Sequence, residues 1–305
     1  MIGRTGKTHD VPSFAIRARE ALLARILPAP FFVRRDYKRR TGKTLNLKDP
    51  KTFNEKLQWL KLYNRDPKLT EFVDKYRVKE FVSRTVGSEY VVPTAGLFER
   101  AEDIKLSELP KKCILKATHG SAWNIIIDDK RAADEKYIQA YFRKRLKRSY
   151  YTYSREWAYK NVKPRVICEE LILDECGKLP NDYKVFCFNG TPVFVGVDFD
   201  RSINTTRVVY DFNWKATGFS VTYPPSEKTK ERPVALEEIY KISENIASVA
   251  PFVRVDFYVH FDRPYIGEIT LYPGNGMNIF YPEEVDDKFG AMLNISQLII
   301  SSGTA

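Results

Sequence analysis

The sequence predicts an α+β fold in which a mainly helical region precedes a series of strands. Residues 1–90 contain a loose tail and then apolar residues at helical spacing, whereas short apolar runs separated by turn residues dominate from residue 91 onward. The 18 Tyr and 19 Phe residues are typical of strands and of aromatic-lined clefts. A chain of 305 residues is long enough for one large or two medium domains.

Two helices are predicted between residues 52 and 85. Thr52 and Glu55 form a capping box ahead of apolar residues at helical spacing, and Asp66-Pro67 ends that helix. A second helix is predicted from Thr70 to about Thr85, because apolar residues again recur at helical spacing. Later helices are predicted over residues 134–148, 235–249 and 284–300.

The strand predictions include two hairpins. Asn189-Gly190 is the dipeptide most typical of a tight hairpin turn, and apolar runs flank it. Asp262-Arg263-Pro264 is predicted as the turn of a second hairpin near the C-terminal end. The predicted strands lie at residues 90–93, 112–117, 125–127, 165–173, 183–188, 192–198, 207–212, 252–261 and 265–272.

The net charge of +11 fits anionic partners such as nucleotides, acidic sugars, nucleic acid or anionic lipid. It does not choose among them, and a solvated basic surface explains much of the excess. The cysteines form no CxxC pair and the chain has three histidines, so a zinc site is not expected. Cys113, Cys168 and Cys187 lie in apolar runs and are predicted to be buried free thiols, which suits a reducing cytoplasm.

The N-terminal segment has no apolar core of a signal peptide, and no run reaches the length of a membrane span, so a cytoplasmic protein is expected. Residues 15–27 are predicted to form a short amphipathic helix, and a basic cluster follows within residues 34–40. Such a segment fits peripheral contact with an anionic membrane at its inner face. The alternative is a basic helix packed on the domain.

The C-terminal hairpin contains a candidate metal site. Arg254 and Asp256 share one face of their strand, and Glu268 and Thr270 share one face of the returning strand. With a three-residue turn, Asp256 lies opposite Glu268, and two facing carboxylates repel unless a cation lies between them. Magnesium, which takes few protein carboxylates and completes its shell with phosphate and water, fits this pair. The alternatives are two exposed acids or a local Arg254–Asp256 pair.

A candidate phosphate site follows the strand that carries Lys116. The turn His119-Gly120-Ser121 is rich in small residues and can offer backbone N–H groups to phosphate oxygens. Lys116, at the strand end, adds a compact positive charge. An ordinary β-turn explains the same residues.

Two further segments are candidates for nucleotide contacts. Glu169 and Glu170 end a buried strand, and we expect the backbone there to be able to read an adenine. Asp182 and Lys184 share a strand face, from which they can reach ribose and phosphate. The alternative for Glu169 and Glu170 is a hydrated strand end, because unpaired acids are costly to bury.

Asp198-Phe199-Asp200 resembles the DxD pattern by which many glycosyltransferases hold a metal and a sugar nucleotide. Short acidic pairs are common, and a polar turn is the other interpretation. Pro273-Gly274-Asn275-Gly276, directly after the Glu268 strand, is predicted as a turn with close backbone approach.

Together these segments resemble the ATP-grasp superfamily, and they are most similar to its TupA-like branch, which is named after a teichuronopeptide biosynthesis protein and found among bacterial surface-polysaccharide genes. The resemblance covers about residues 45–295, and the order and spacing of the motifs are its specific part. The segments that carry it are Phe53-Asn54-Glu55-Lys56-Leu57-Gln58-Trp59-Leu60, Lys116-Ala117-Thr118-His119-Gly120-Ser121, Asp182-Tyr183-Lys184-Val185-Phe186, Arg254-Val255-Asp256-Phe257-Tyr258 and Gly267-Glu268-Ile269-Thr270-Leu271-Tyr272-Pro273-Gly274.

The resemblance implies two α+β lobes that clamp ATP, preceded by the helical region. The implied division is a tail and helical region at 1–90, a first lobe with the phosphate loop at 91–170, and a second lobe with the metal site at 171–305. The implied nucleotide contacts are Lys116, the loop His119, Gly120 and Ser121, the hinge Glu169, Glu170 and Leu171, and Asp182 with Lys184. The implied magnesium ligands are Asp256 and Glu268, with Thr270 where many relatives carry Asn, and Asn275 as a polar substitute.

The implied chemistry is carboxylate–amine ligation through an acylphosphate, with ATP and Mg²⁺ as cofactors. Lys184, Arg254 and Arg201 are the candidates for charge neutralisation and for binding the acylphosphate or the substrate carboxylate. The family context implies an acidic sugar unit of a surface polysaccharide and an amino acid as substrates, and nucleic acid is not expected. The alternatives are a metal-dependent glycosyltransferase that uses Asp198 and Asp200, and a non-enzymatic module that binds polysaccharide or nucleic acid.

Overall fold

The computed structural model describes residues 22–174, 177, 179–180, 182–199 and 204–302. Within these residues the chain is α+β, as predicted, with a helical N-terminal region followed by a four-stranded sheet, a five-stranded sheet and a small two-stranded sheet. All strand pairs of the three sheets are antiparallel.

Besides the helical residues 22–26, the described N-terminal region contains four helices, and the capping box is confirmed. They are α1 (Ala29–Thr41), α2 (Phe53–Tyr63), α3 (Leu69–Val73) and α4 (Arg77–Thr85). At the start of α2, the Thr52 side chain accepts from the Glu55 N–H and Glu55 accepts from the Thr52 N–H. The single helix predicted over residues 70–85 is wrong: it is interrupted after Val73, because the Asp74 carboxylate accepts from the Tyr76 N–H at 2.9 Å.

The first sheet has the strand order β1-β4-β2-β3. Its strands are β1 (Thr94–Phe98), β2 (Cys113–Ala117), β3 (Asn124–Ile127) and β4 (Val166–Glu170), and helix α5 (Glu135–Leu146) packs on it. Leu115 and Ile127 share a core with Ile138 and Phe142 of this helix. The strand predicted at 90–93 is wrong, since a short 3₁₀ turn ends there and the pairing begins at Thr94.

The second sheet has the strand order β10-β9-β5-β6-β7. Its strands are β5 (Asp182–Phe188), β6 (Thr191–Phe199), β7 (Thr206–Tyr210), β9 (Phe252–His260) and β10 (Arg263–Thr270). The hairpin at Asn189-Gly190 is confirmed, with φ of 49° and 87° at the two residues. Helix α7 (Leu236–Ala247) covers β5, β6 and β9 on one face.

The rest of the described C-terminal part packs around α2. Phe53, at its start, contacts the rings of Phe188, Phe252 and Phe289. The closing helix predicted over 284–300 is two helices, because the chain is extended at Leu293 between them. The remaining elements are α6 (Tyr150–Ser154), α8 (Val285–Met292), α9 (Ser296–Ser302), β8 (Ser220–Val221) and β11 (Phe280–Tyr281).

The turn of the C-terminal hairpin differs from the prediction. It has two residues, Phe261 and Asp262, both with left-handed backbone (φ 46° and 58°), instead of the predicted three. A two-residue turn alone would place Asp256 opposite Gly267. A register shift between Ile266 and Glu268 restores the predicted pairing of Asp256 with Glu268.

The cysteine prediction is confirmed for the described residues, since Cys113, Cys168 and Cys187 are buried and free. Cys176 lies outside the described residues, as do residues 15–21 of the predicted amphipathic helix, whereas residues 22–26 are helical. Across the described part of the chain, no helix combines the length and apolar character that a membrane crossing requires. The two larger sheets fall within 91–170 and 171–305, and the three-part domain division stays a prediction.

Candidate functional site

The two predicted metal acids lie on one face of the second sheet. Asp256 on β9 is directly opposite Glu268 on β10, and on its other side it is opposite Lys184 on β5. Lys184 Nζ lies 3.0 Å from Asp256 Oδ2. The Glu268 side chain is 36% exposed, so it borders solvent, while Asp256 is buried. The pair offers hard oxygen donors of the kind Mg²⁺ takes, and the residues therefore fit the predicted ion.

Arg254 holds Asp256 in place. Its Nε donates to Asp256 Oδ1 at 2.6 Å and its Nη2 to Asp256 Oδ2 at 2.7 Å, while Nη2 also reaches Thr270 Oγ1 at 3.3 Å. Burial alone would raise the pKa of Asp256, but Arg254 and Lys184 bring it well below its ordinary value. The Arg254–Asp256 pair was an alternative to a metal site in the sequence analysis. The structure contains this pair, and it also contains the facing carboxylates. The pair keeps Asp256 ionised and oriented.

Asp182 and Lys184 form a buried ion pair. Lys184 Nζ lies 2.5 Å from Asp182 Oδ2, and both side chains belong to the same face of β5. Although burial opposes it, the charges of Asp256 and Asp182 raise the pKa of Lys184 above its ordinary value. Lys184 is thus a permanent cation beside the predicted metal acids.

Glu169 is paired with two lysines rather than hydrated. Its Oε2 lies 2.5 Å from Lys116 Nζ and its Oε1 lies 2.7 Å from Lys79 Nζ. Glu170 points into solvent, so the hydrated interpretation holds for that residue and is wrong for Glu169. The backbone N–H of Leu171 donates to the Lys112 carbonyl at 3.4 Å, and the predicted adenine contact of this hinge stays a prediction.

The predicted phosphate loop joins β2 to β3. The His119 ring is buried against Trp123, with ring centroids 5.2 Å apart, and its Nε2 lies 3.1 Å from the Arg145 carbonyl oxygen. Burial lowers the pKa of His119, so the ring is a neutral anchor of the loop. Gly120 is required next to it, because a Cβ there would lie 2.6 Å from the Trp123 ring. Ser121 is exposed at the tip and hydrogen-bonded to Tyr150.

Lys75 belongs to this site and was missed in the sequence. Its Nζ lies 2.9 Å from the Gly120 carbonyl oxygen and 3.3 Å from Glu268 Oε1, so it connects the phosphate loop to a predicted metal acid. Lys75 follows Asp74, where the predicted single helix is interrupted. The available signal was Asp74 itself, because Asp is typical of a helix start and indicates a second helix there.

Helix α2 supports the segment after β10. Gln58 Nε2 donates to the carbonyls of Asn275 and Gly276, at 2.8 and 2.7 Å. Lys61 Nζ donates to Asn275 Oδ1 at 3.0 Å, so the Asn275 side chain is engaged there and the proposed substitution for a metal ligand is not supported. Asn54 adds bonds to Asn278 and Asp286. Asn54 and Gln58 of the first quoted motif, with Lys61 directly after it, thus position the chain behind Glu268 and Thr270.

Asp198 belongs to a buried ion pair. It is 4% exposed, and Arg207 takes both of its oxygens, with Nε 2.5 Å from Oδ1 and Nη2 3.0 Å from Oδ2. Its predicted partner Asp200 and the predicted substrate residue Arg201 lie outside the described residues. The Asp198 carboxylate is therefore paired within the sheet, and the described residues add no support for the glycosyltransferase alternative.

The chain matches a known family over most of its length. Residues 55–294 match the family described as TupA-like ATPgrasp. No match was found among curated proteins. The family match confirms the predicted resemblance and the predicted ATP-grasp fold.

Several solved structures are similar in fold. D-alanine–D-alanine ligase from Bacillus anthracis complexed with ATP is 15% identical, with 77% of this chain and 66% of that chain covered and a TM-score of 0.43. The ATP-grasp ligase PsnB complexed with minimal precursor, Mg and ADP is 12% identical, with 81% and 65% covered and a TM-score of 0.39. A RimK domain protein ATP-grasp from Sphaerobacter thermophilus is 10% identical, with 74% and 69% covered and a TM-score of 0.41. The chain spans just under two thirds of the length of the first two ligases.

Proposed function

The chain belongs to the TupA-like ATP-grasp family of enzymes, and from this premise we propose that it is an ATP- and Mg²⁺-dependent carboxylate–amine ligase. A substrate carboxylate oxygen attacks the γ-phosphorus of ATP, and ADP leaves. The amine nitrogen then attacks the acylphosphate carbon, the C–O bond to phosphate breaks, and the nitrogen gives up a proton as the amide forms. No covalent protein nucleophile is needed.

The pairing of Asp256 with Glu268 on one sheet face, beside Lys184, is the observation that carries this proposal. Phosphoryl transfer depends mainly on positioning and on neutralising charge. Asp256 and Glu268 would hold Mg²⁺, which would supply positive charge to the phosphate oxygens. Lys116 and Lys184 would supply further positive charge, and the backbone of Gly120 and Ser121 would offer N–H groups to phosphate.

Arg254 acts, in this proposal, mainly on Asp256, which it holds through two hydrogen bonds. Its predicted contact with the acylphosphate stays a prediction, as does that of Arg201. The nucleotide contacts of Glu169, Glu170, Leu171 and Asp182 belong to the same proposal.

We propose an acidic sugar unit of a surface polysaccharide and an amino acid as the substrates. The excess of basic residues, with a net charge of +11, supports an anionic substrate. The proposal places the protein in the cytoplasm, with peripheral contact to an anionic membrane through its basic N-terminal helices.

A thermal-shift measurement with ATP and Mg²⁺ tests the proposed function. At ATP concentrations a hundredfold above Kd, binding stabilises the folded wild type by about 2.7 kcal/mol, so its Tm should rise by several degrees. The Glu268→Gln variant should lose the part of this shift that requires Mg²⁺. Glu244→Gln, an exposed acid on α7, is the matched control and should behave as wild type. A wild type whose Tm does not respond to ATP and Mg²⁺ would refute the proposal.

A further inference from the structure

Glu156 is a buried acid that takes part in none of the ion pairs of the site. It is 5% exposed, and among the described residues its side chain makes no hydrogen bond and no ion pair within 4 Å. The other buried carboxylates of the described part each have such a partner: Asp36, Asp74, Glu169, Asp182, Asp198, Asp256 and Asp286. Burial raises the pKa of Glu156 to about 8, so the free side chain is mainly neutral at pH 7, and a cation brought by a ligand would favour its ionised form.

The backbone places Glu156 beside the site already described. It precedes the 3₁₀ turn Trp157–Tyr159, which packs against α2 and α3. Its own N–H donates to Ser154 Oγ at 3.1 Å, which fixes the backbone at this point. The charges of Lys61, Lys75 and Glu268 all act on Glu156, so its carboxylate lies within electrostatic reach of the predicted metal acid.

Three tyrosines lie within electrostatic reach of the carboxylate. Its charge acts on the hydroxyl groups of Tyr150, Tyr159 and Tyr272. The rings of Tyr150 and Tyr159 are 4.7 Å apart, and Tyr150 also contacts Trp123 of the phosphate loop at 5.8 Å. An acid among aromatic rings is a common environment for an ammonium group, which binds both the carboxylate and the ring faces.

The two lysines near Glu156 contact other groups. Lys75 contacts Gly120 and Glu268, and Lys61 contacts Asn275. Neither lysine forms an ion pair with Glu156, so a ligand is the remaining source of a direct cation partner. The two substrates of a carboxylate–amine ligase carry opposite charges, and the lysines and Arg254 suit the carboxylate and the phosphates, whereas an acid suits the amine.

We propose that Glu156 binds the ammonium group of the amine substrate, an α-amino acid, in a pocket walled by Tyr150, Tyr159 and Tyr272. This inference rests on the proposed ligase function and adds the residue that recognises the second substrate. Tyr150 connects the proposed site to the phosphate loop through its ring contact with Trp123, and Tyr272 lies just after the end of β10. An amine bound there adjoins the place where the acylphosphate would form.

Calorimetric titration of the full chain tests the inference. The probes are the twenty proteinogenic α-amino acids, each titrated into protein saturated with Mg²⁺ and the non-hydrolysable analogue AMP-PNP. We expect at least one of them to bind wild type, and its N-acetyl derivative, which has no ammonium group, to bind at least tenfold more weakly. Glu156→Gln should weaken the binding of that amino acid at least tenfold and leave the Kd of AMP-PNP within twofold.

The controls separate this inference from the proposed function and from misfolding. AMP-PNP binding to each variant reports whether it is folded, and Glu156→Asp, which keeps the charge, should recover part of the amino-acid affinity. Glu244→Gln should not differ from wild type. If AMP-PNP and Mg²⁺ fail to bind wild type, the proposed function fails. If they bind but no amino acid does, or if Glu156→Gln or N-acetylation has no effect, only the role of Glu156 is refuted.

Discussion

Glu169 is a buried acid whose two oxygens are taken by two different lysines, Lys116 and Lys79. Burial alone would raise its pKa, but the two lysines lower it below the ordinary value of 4.5. The unfolded chain then binds a proton more readily than the folded chain. The stabilisation from this group is therefore complete above pH 4.5 and is lost as the pH falls through the folded-state pKa.

We expect Glu169→Gln to lower the free energy of unfolding at pH 7 by about 3 kcal/mol, because it leaves two lysines buried without their acid. The difference from wild type should shrink in urea titrations below pH 4.5, where the wild-type carboxyl also begins to take up a proton. Glu170→Gln is the neighbouring control, because an exposed side chain should change stability by no more than about 0.5 kcal/mol. An equal loss at pH 7 and at pH 3 would contradict this account of Glu169.

Strand alternation in the sequence was sufficient to predict that Asp256 and Glu268 face each other, but not the path of the chain that achieves it. The turn is one residue shorter than predicted, and the register shift at Gly267 compensates. Bulges depend on local packing, here the Tyr258 ring, which a Cβ on Gly267 would approach to 2.6 Å. Lys75 was missed because helical spacing continues through Asp74, although the helix does not.

Helix α2 carries the first motif of the family and is far from the predicted metal acids in sequence. Its contacts show how this motif supports the segment that follows those acids. Gln58 is fully buried and donates to two carbonyls of the segment that follows β10. We expect Gln58→Leu, which keeps the volume, to lower the free energy of unfolding by about 2 kcal/mol by leaving those carbonyls unsatisfied.

The same Gln58→Leu variant should bind ATP more weakly in the presence of Mg²⁺, because the end of β10 is no longer held. Urea titration measures the first effect and the ATP-induced change in Tm measures the second. Gln139→Leu, on α5, is the control. The side-chain amide of Gln139 also donates to backbone carbonyls, but these lie outside the site. A Gln58→Leu variant with wild-type stability would show that α2 does not support this segment.

At the scale of the molecule, the site lies where three parts of the chain meet. Lys75 comes from the helical region, Gly120 from the loop of the first sheet and Glu268 from the second sheet. The Lys75 ammonium contacts the Gly120 carbonyl and the Glu268 carboxylate. Lys184 and Arg254, by contrast, contact acids of their own sheet. A nucleotide clamped between the lobes would place its phosphates between the same loop and the same acid, so Lys75 is positioned to contact them.

We therefore expect Lys75→Met to weaken binding of ATP with Mg²⁺ about tenfold, which corresponds to about 1.4 kcal/mol. The loss in unfolding free energy should be smaller, because Glu268 is partly exposed and its pairing with Lys75 is screened by solvent. The weakening should be larger at 50 mM than at 300 mM NaCl, since salt screens the interaction of an ammonium with phosphate. Titration calorimetry at both salt concentrations measures this, with Lys68→Met as a control that removes an exposed lysine of the same region. If Lys75→Met binds ATP as tightly as the control, Lys75 only joins the loop to Glu268 and does not contact the nucleotide.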